Sequence, residues 1–306
     1  MTKLGVIGGA GLLGATTAFY SASKGIVDEI ILTDVRENLA QSHVYDIDQA
    51  VCEISETKLS VGGIDDLKEC DIVLNAAGIP ETKAASRNDY LGGNIKILSE
   101  LAEKIRRWGT APVILSATNP VDVLNYTLFR MTGLPPEKFV GFSRNDTLRF
   151  IWAVSKETGI PPSQLDALVI GEHGDGQVPL FSLLRMKSSG QVISLENTLR
   201  ERVQSRVKTW FEEYQKLESG RSSGWTSGVS ISIVINMILT DSKDVCPCSV
   251  IPNGEYGLGG LSIGLPVRLG KSGVREIVEL RISEDENNQL MSSAGKIKKL
   301  IAEYQP

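Results

Sequence analysis

The feature that most constrains this chain is a short apolar strand that runs directly into a glycine-rich turn. Residues 4–7 are small and apolar, glycines follow at positions 8, 9, 11 and 14, and an alanine- and threonine-rich helix is predicted over 15–22. Gly8 or Gly9 permits the sharp turn, and Gly11 lets the backbone approach a ligand closely. Gly14 lets the new helix pack against the strand. The sequence therefore predicts an anion-binding turn at a helix N-terminus, where free N–H groups and the positive dipole end converge.

The spacing of these glycines fits a dinucleotide-binding turn, although the same glycines also occur in simple strand-to-helix turns. A second apolar strand, predicted over 29–33, ends at Asp34, twenty residues after Gly14. An acid at that place can accept hydrogen bonds from both ribose hydroxyls of NAD and repels the 2′-phosphate of NADP. The sequence predicts NAD as the cofactor, bound by Asp34 and by the turn itself: Gly8, Gly9, Gly11, Leu12, Leu13 and Gly14.

Composition and charge exclude several other classes of protein. The 306 residues are 42% hydrophobic and 23% charged, with a net charge of −5, which gives no reason to expect a nucleic acid or an anionic membrane as partner. Four cysteines and two histidines are too few, and too scattered, for a disulfide scaffold or a structural metal site. With no signal-peptide pattern and no apolar run long enough to span a bilayer, we expect a cytoplasmic protein.

Alternation of strands and helices through the first half predicts a parallel, doubly wound sheet. Strands are predicted over 58–61, 70–75, 112–117 and 139–142, and helices over 37–53, 91–107 and 121–131; we expect a mobile loop over 81–88. The second half is less repetitive, with a helix capped by Asn145 and extending to about 158, further helices over 195–219, 223–239 and 284–302, and strands over 168–170, 248–251 and 262–269. These patterns predict an NAD-binding α/β domain over 1–143 and a mixed α/β substrate domain over 144–306.

His173 is the main candidate for acid–base chemistry. It lies in the segment Gly-Glu-His-Gly-Asp-Gly, whose glycines give a structural histidine little to pack against. Imidazole exchanges protons near neutral pH, provided that a carboxylate holds its tautomer. The other histidine, His43, lies in a charged helix and fits a structural role.

Four further polar residues are candidates for the same site. Asp146 and Arg149 are three residues apart, which places them on one face of a helix. They form either a surface ion pair or two functional groups. In the second case Asp146 orients His173 and Arg149 binds a substrate carboxylate. Arg87, in the predicted loop, is either solvated or polarises a carbonyl when the loop closes. Asn119 ends a strand, where its amide can bind substrate or the nicotinamide ribose.

These residues together resemble the lactate/malate dehydrogenase family over essentially the whole chain. The matching segments are the turn at 8–14, Asp34, Ala-Gly-Ile-Pro at 77–80, Ser-Arg-Asn-Asp at 86–89, Asn94, Ala-Thr-Asn-Pro-Val-Asp at 117–122, Asp-Thr-Leu-Arg-Phe at 146–150 and Gly-Glu-His-Gly-Asp at 171–175. The resemblance implies an NAD-dependent L-2-hydroxy acid dehydrogenase that forms a homodimer or homotetramer, with a small 2-oxo or 2-hydroxy acid as its substrate.

The resemblance also implies a role for each matching residue. His173, paired with Asp146, is the acid that protonates the substrate carbonyl oxygen, Arg149 binds the C1 carboxylate, and Arg87 polarises the carbonyl. Further contacts are implied for the cofactor at Ala77, Gly78, Asn94 and Asn119, and for the substrate at Asn119 and, from a weaker match, at Thr226.

The chain departs from the family pattern at Glu81. This position, six residues before the loop arginine, reads the substrate side chain and is typically arginine in malate dehydrogenases and glutamine in lactate dehydrogenases. A carboxylate there repels oxaloacetate and suits a polar or cationic side chain. The alternative is a malate dehydrogenase in which Glu81 turns to solvent and Lys83 or Arg221 supplies the positive charge.

Two other classes share the glycine turn. A short-chain reductase needs a Tyr-x-x-x-Lys pair for proton transfer, and no such pair is suitably placed. A non-catalytic NAD-binding sensor can dispense with a histidine–aspartate–arginine set, which this chain carries. We therefore expect an enzyme.

Overall fold

A computed structural model describes residues 1–79, 87–219 and 223–304, excluding the side chains of residues 87–90, 211 and 215. Glu81, like Lys83 and Arg221, lies outside these residues, and only the backbone of Arg87 is included. None of the helices in the described part of the chain combines the length and the apolar character needed to cross a membrane.

Strands and helices alternate through the first half of the chain, as predicted. In order they are β1 (Lys3–Ile7), α1 (Leu12–Ser23), β2 (Glu29–Thr33), α2 (Glu37–Val51), β3 (Lys58–Val61), β4 (Ile72–Asn75), α3 (Arg87–Arg107), β5 (Val113–Ser116), α4 (Val121–Thr132) and β6 (Phe139–Phe142). The strand order is β3-β2-β1-β4-β5-β6, with every pair parallel. This order confirms the doubly wound fold, and it gathers the carboxyl ends of the strands at one edge, where such sheets bind ligands.

The second half adds antiparallel strands and long helices. In order they are α5 (Arg144–Thr158), β7 (Leu165–Asp166), β8 (Val169–Gly171), β9 (Gln177–Pro179), β10 (Arg185–Met186), α6 (Asn197–Lys216), α7 (Gly224–Leu239), β11 (Cys246–Val250), β12 (Ile263–Gly270), β13 (Gly273–Ile277) and α8 (Glu284–Tyr304). β11 pairs antiparallel with β6, and β12 then joins β11 to β8 and β13. One sheet therefore continues past residue 143, where we predict the domain boundary.

The apolar core also extends across both halves. One large cluster of buried side chains includes Leu4 and Ile114 from the parallel strands as well as Leu265 and Ile297 from the second half. α1 and α7 pack together, and their buried Ser21 and Ser232 hydroxyls lie 2.8 Å apart. A smaller cluster, centred on the fully buried Phe150, holds α6 against α5. These contacts set the relative positions of the cofactor turn and of the helices that carry the candidate catalytic residues.

Two of the predicted helix starts that bear on the site are wrong. Asn145 does not cap its helix, because α5 begins at Arg144 with Ser143 as the N-cap; the Asn145 amide instead donates to the Ser227 hydroxyl at 2.7 Å. Residues 87 and 88, assigned to a loop by the sequence, form the first turn of α3. In both cases the helix begins before the apolar periodicity becomes visible, since its first turn is polar.

Candidate active site

The glycine turn is built to accept an anion. Gly8 has a φ of +83°, and a Cβ on it would lie 2.7 Å from the Ala76 carbonyl carbon. A Cβ on Gly14 would lie 2.4 Å from the oxygen of Gly8, so α1 packs directly against the turn. Gly11 is the N-cap of α1, and no side chain caps the helix. The first-turn N–H groups therefore suit a diphosphate, as the sequence predicts for this turn.

Asp34 lies at the carboxyl end of β2, and its side chain is only 7% exposed. Its Oδ2 accepts a hydrogen bond from the backbone N–H of Ala10 at 3.0 Å, which ties the carboxylate to the glycine turn. Its Oδ1 accepts from the backbone N–H of Arg36 at 3.0 Å and from the Arg36 side chain. A carboxylate has about four acceptor sites, so it can also accept from ribose hydroxyls. The turn and Asp34 together fit an NAD adenosine and diphosphate.

The ends of β4 and β5 form the next part of the cleft, with the predicted cofactor residues Ala77, Gly78, Asn94 and Asn119. The Thr118 hydroxyl donates to the Ala77 oxygen at 2.7 Å. The buried Asn94 accepts from the Ile79 N–H at 2.8 Å and donates to the Asn119 oxygen at 3.0 Å. Asn94 thus joins the two strand ends through its own amide, while the Asn119 side chain is exposed.

The histidine and the aspartate, 27 residues apart in sequence, meet in the second half. His173 Nδ1 lies 2.6 Å from Asp146 Oδ2, in the segment that follows β8. Asp146 lies in the first turn of α5 and is 3% exposed, whereas the His173 side chain is 14% exposed. The Thr147 hydroxyl accepts from the Val169 N–H at 2.9 Å, which fixes α5 against β8. The structure therefore brings together the pair that the sequence proposes, and the imidazole stays partly exposed.

Two opposing effects act on the pKa of His173. Burial lowers it, but the negative charge of Asp146 and the hydrogen bond to it outweigh burial, so the pKa of His173 is raised above its ordinary 6.5. The shift favours the imidazolium form, which is the form that a proton donor requires.

Arg149 shares the same carboxylate. Its Nη1 donates to Asp146 Oδ1 at 2.9 Å, so Asp146 contacts His173 through one oxygen and Arg149 through the other. Burial lowers the pKa of Arg149, and the charge of Asp146 opposes that shift. An arginine remains charged even so, which leaves a partly buried cation beside the imidazole.

Asp122 is a residue whose importance the sequence reasoning missed. It lies in the first turn of α4, and its Oδ2 accepts a hydrogen bond from the backbone N–H of His173 at 2.8 Å. The buried Ser249 hydroxyl on β11 donates to its Oδ1 at 2.5 Å. Burial raises the pKa of Asp122 to about 6. The only signal in the sequence was its place in the Asn-Pro-Val-Asp segment after β5.

The remaining candidates are placed less directly. Thr226 is exposed in the first turn of α7, next to Ser227, whose bond to Asn145 holds that turn beside the start of α5. The backbone of Arg87 begins α3, and Glu81 is outside the described residues, so the parts predicted for these two side chains stay predictions.

Comparison with known proteins agrees with this geometry. Residues 2–141 match the model of the lactate/malate dehydrogenase NAD-binding domain, and residues 144–305 match that of the α/β C-terminal domain. A malate dehydrogenase from Halobacterium salinarum is 31% identical over 97% of both chains. The malate dehydrogenase structure from Aeropyrum pernix superposes with a TM-score of 0.91 at 28% identity, covering 99% of this chain and 98% of that one.

A lactate dehydrogenase from Cryptosporidium parvum, solved with lactic acid and NAD, gives a TM-score of 0.90 at 27% identity, with 100% and 99% coverage. The two family models, which together cover residues 2–141 and 144–305, define the class as an NAD-dependent 2-hydroxy acid dehydrogenase. The chain belongs to the lactate/malate dehydrogenase family, and NAD is its cofactor.

Proposed function

We propose that this dehydrogenase interconverts a 2-oxo acid and its (S)-2-hydroxy acid, with His173 as the acid and base. The observation that carries the proposal is the shared carboxylate of Asp146, whose two oxygens lie 2.6 Å from His173 Nδ1 and 2.9 Å from Arg149 Nη1. This arrangement sets a proton donor next to a cation, and a 2-oxo acid presents a carbonyl oxygen next to a carboxylate.

Each residue then has a defined part in the reduction. NADH, when bound, supplies the hydride that adds to C2. Because Nδ1 faces Asp146, Nε2 of His173 is the nitrogen that donates a proton to the carbonyl oxygen. The Asp146 carboxylate stabilises the imidazolium and fixes its orientation. Arg149 binds the C1 carboxylate, and Arg87 polarises the carbonyl. Asn119 and Thr226 position the substrate beside them.

The raised pKa of His173 gives the direction of the pH dependence. Reduction requires the protonated imidazole, so its kcat/KM stays high below the raised pKa and falls as the pH increases through it. Oxidation requires the neutral imidazole, so its rate increases over the same interval.

Two observations point to different substrate side chains. The curated relatives are named malate dehydrogenase, which favours oxaloacetate and malate. We nevertheless propose a substrate with a polar or cationic side chain. In the sequence pattern of the family, Glu81 occupies the position that reads the substrate side chain, and a carboxylate there would repel a second substrate carboxylate.

The test is kcat/KM for NADH-dependent reduction of oxaloacetate, pyruvate and a cationic 2-oxo acid by the wild type and by Glu81→Arg. We expect the wild type to prefer the cationic acid and Glu81→Arg to prefer oxaloacetate. The ratio of kcat/KM for the two substrates should change by about 100-fold between the two enzymes. Glu81→Gln is the matched control, because it removes the charge without reversing it. A wild type that already prefers oxaloacetate refutes the side-chain proposal and leaves malate as the substrate. The homodimer or homotetramer implied by the resemblance stays a prediction.

A further inference from the structure

The guanidinium of Arg149 has a second neighbour besides Asp146. Its Cζ lies 4.0 Å from the ring centroid of Trp210, which is part of α6. The Arg149 side chain is only 19% exposed, so this cation–π contact is largely shielded from water. A separation this short is typical of a guanidinium stacked on an aromatic face. The Asp146 carboxylate accepts a hydrogen bond from one of the guanidinium N–H groups at 2.9 Å.

The position of Trp210 over Arg149 is fixed by the preceding turns of α6. Val203 and Val207 are buried in the cluster around Phe150 of α5. Glu157 of α5 accepts hydrogen bonds from Arg202 at 2.9 Å and from Arg206 at 2.6 Å. These contacts anchor α6 on α5, and the next turn presents the Trp210 ring to Arg149.

We infer that Trp210 is a positioning residue for substrate binding, one that holds the guanidinium plane of Arg149 in the orientation that receives the C1 carboxylate. This inference rests on the function proposed above. A carboxylate binds a guanidinium edge-on, in the plane of the group, through two parallel hydrogen bonds. An aromatic ring stacked on the face restricts rotation of that plane and leaves its edges accessible. The contact therefore prepares Arg149 for a planar anion before the substrate arrives.

The chain offers a matched control for this contact. Trp152, on α5, is the partner of Arg206 in a second arginine–tryptophan contact of the same helix pair, with a Cζ-to-centroid distance of 5.7 Å. Replacing either tryptophan with leucine removes an aromatic face from the α5–α6 interface. Of these two tryptophans, Trp210 is the one that contacts the arginine proposed to bind the substrate.

The experiment measures binding of oxamate, an unreactive amide analogue of a 2-oxo acid, to the enzyme–NADH complex, together with steady-state kinetics. Trp210→Leu should weaken oxamate binding and raise the KM of the 2-oxo acid about tenfold, with kcat changed much less. Trp210→Phe, which keeps an aromatic face, should restore most of this loss. Trp152→Leu should leave both values within about twofold, since its arginine does not bind substrate.

A substrate lacking the charge separates positioning from general damage to the fold. With a neutral 2-oxo amide in place of the 2-oxo acid, the difference between the wild type and Trp210→Leu should disappear. Unchanged oxamate binding in Trp210→Leu, an equal loss in Trp152→Leu, or an equal loss with the amide overturns the inference while the proposed function stands. If the wild-type enzyme–NADH complex does not bind oxamate and the wild-type enzyme reduces no 2-oxo acid, both the proposed function and the inference are refuted.

Discussion

The cofactor region and the acid–base region of this protein are constructed in opposite ways. The first relies mainly on the backbone N–H groups of the glycine turn, with one side chain, the Asp34 carboxylate, tied to that turn by a hydrogen bond from Ala10. The second relies on side chains from separate elements, with Asp146 on α5 facing His173 after β8. Most of the first lies within 34 consecutive residues, whereas the second exists only after distant segments have packed together.

This difference explains how each region responds to substitution. A backbone site is insensitive to most side-chain changes and fails where an added Cβ collides, as at Gly14. A side-chain site loses its function when one titratable atom is removed, even if the fold is unchanged. Substitutions that impair cofactor binding without turnover, or turnover without cofactor binding, therefore test this difference between the two regions most directly.

The largest effect is expected from His173→Asn. Without the imidazole there is no group to transfer the proton, so kcat should fall about 1,000-fold, while the NADH dissociation constant, measured by fluorescence, stays unchanged. His43→Asn is the matched control, since it changes the chain's other histidine, on α2, and should retain full turnover. Substantial turnover by His173→Asn would falsify the acid–base assignment.

The cofactor region is tested next by Asp34→Asn. The amide can still accept the bond from Ala10, but it no longer carries the charge that repels a 2′-phosphate. We expect NADH to bind about tenfold more weakly and NADPH more tightly, with little change in kcat at saturating NADH. Binding titrations with both cofactors measure the change. If the ratio of the two affinities does not change, Asp34 is not the discriminating group.

The sequence predicted the cofactor region more completely than the acid–base region, because the residues of the first are close together in the chain and those of the second are far apart. Alternating strands and helices indicated the parallel sheet, and the spacing between Gly14 and Asp34 placed the acid correctly at the end of β2. No spacing rule connects Asp122 to Ser249, which are 127 residues apart. The contact of Trp210 with Arg149 was also invisible, since it depends on how α6 lies on α5. Boundaries failed where polar first turns hid the starts of α3 and α5.

The buried network behind His173 gives the smallest and most selective prediction. One carboxylate oxygen of Asp122 accepts a hydrogen bond from the backbone N–H of His173, and the other accepts one from the Ser249 hydroxyl. The pKa of Asp122 is raised to about 6 from its ordinary 3.8, so the native state binds this proton more tightly than the unfolded state does. The stability that this proton contributes is therefore present below about pH 4 and is lost as the pH increases through 6.

Ser249→Ala removes a donor that stabilises the ionised form of Asp122, and it should raise that pKa further. The free energy of unfolding should fall by about 1 kcal/mol at pH 5, where the lost bond is to a neutral acid, and by about 2 kcal/mol at pH 8, where it is to a carboxylate. Urea unfolding at the two pH values measures the difference. Ser262→Ala is the control: its hydroxyl bonds to Ser249 at 2.8 Å, so its cost should not depend on pH. An equal cost of Ser249→Ala at both pH values would mean that Asp122 does not change its protonation state between pH 5 and pH 8.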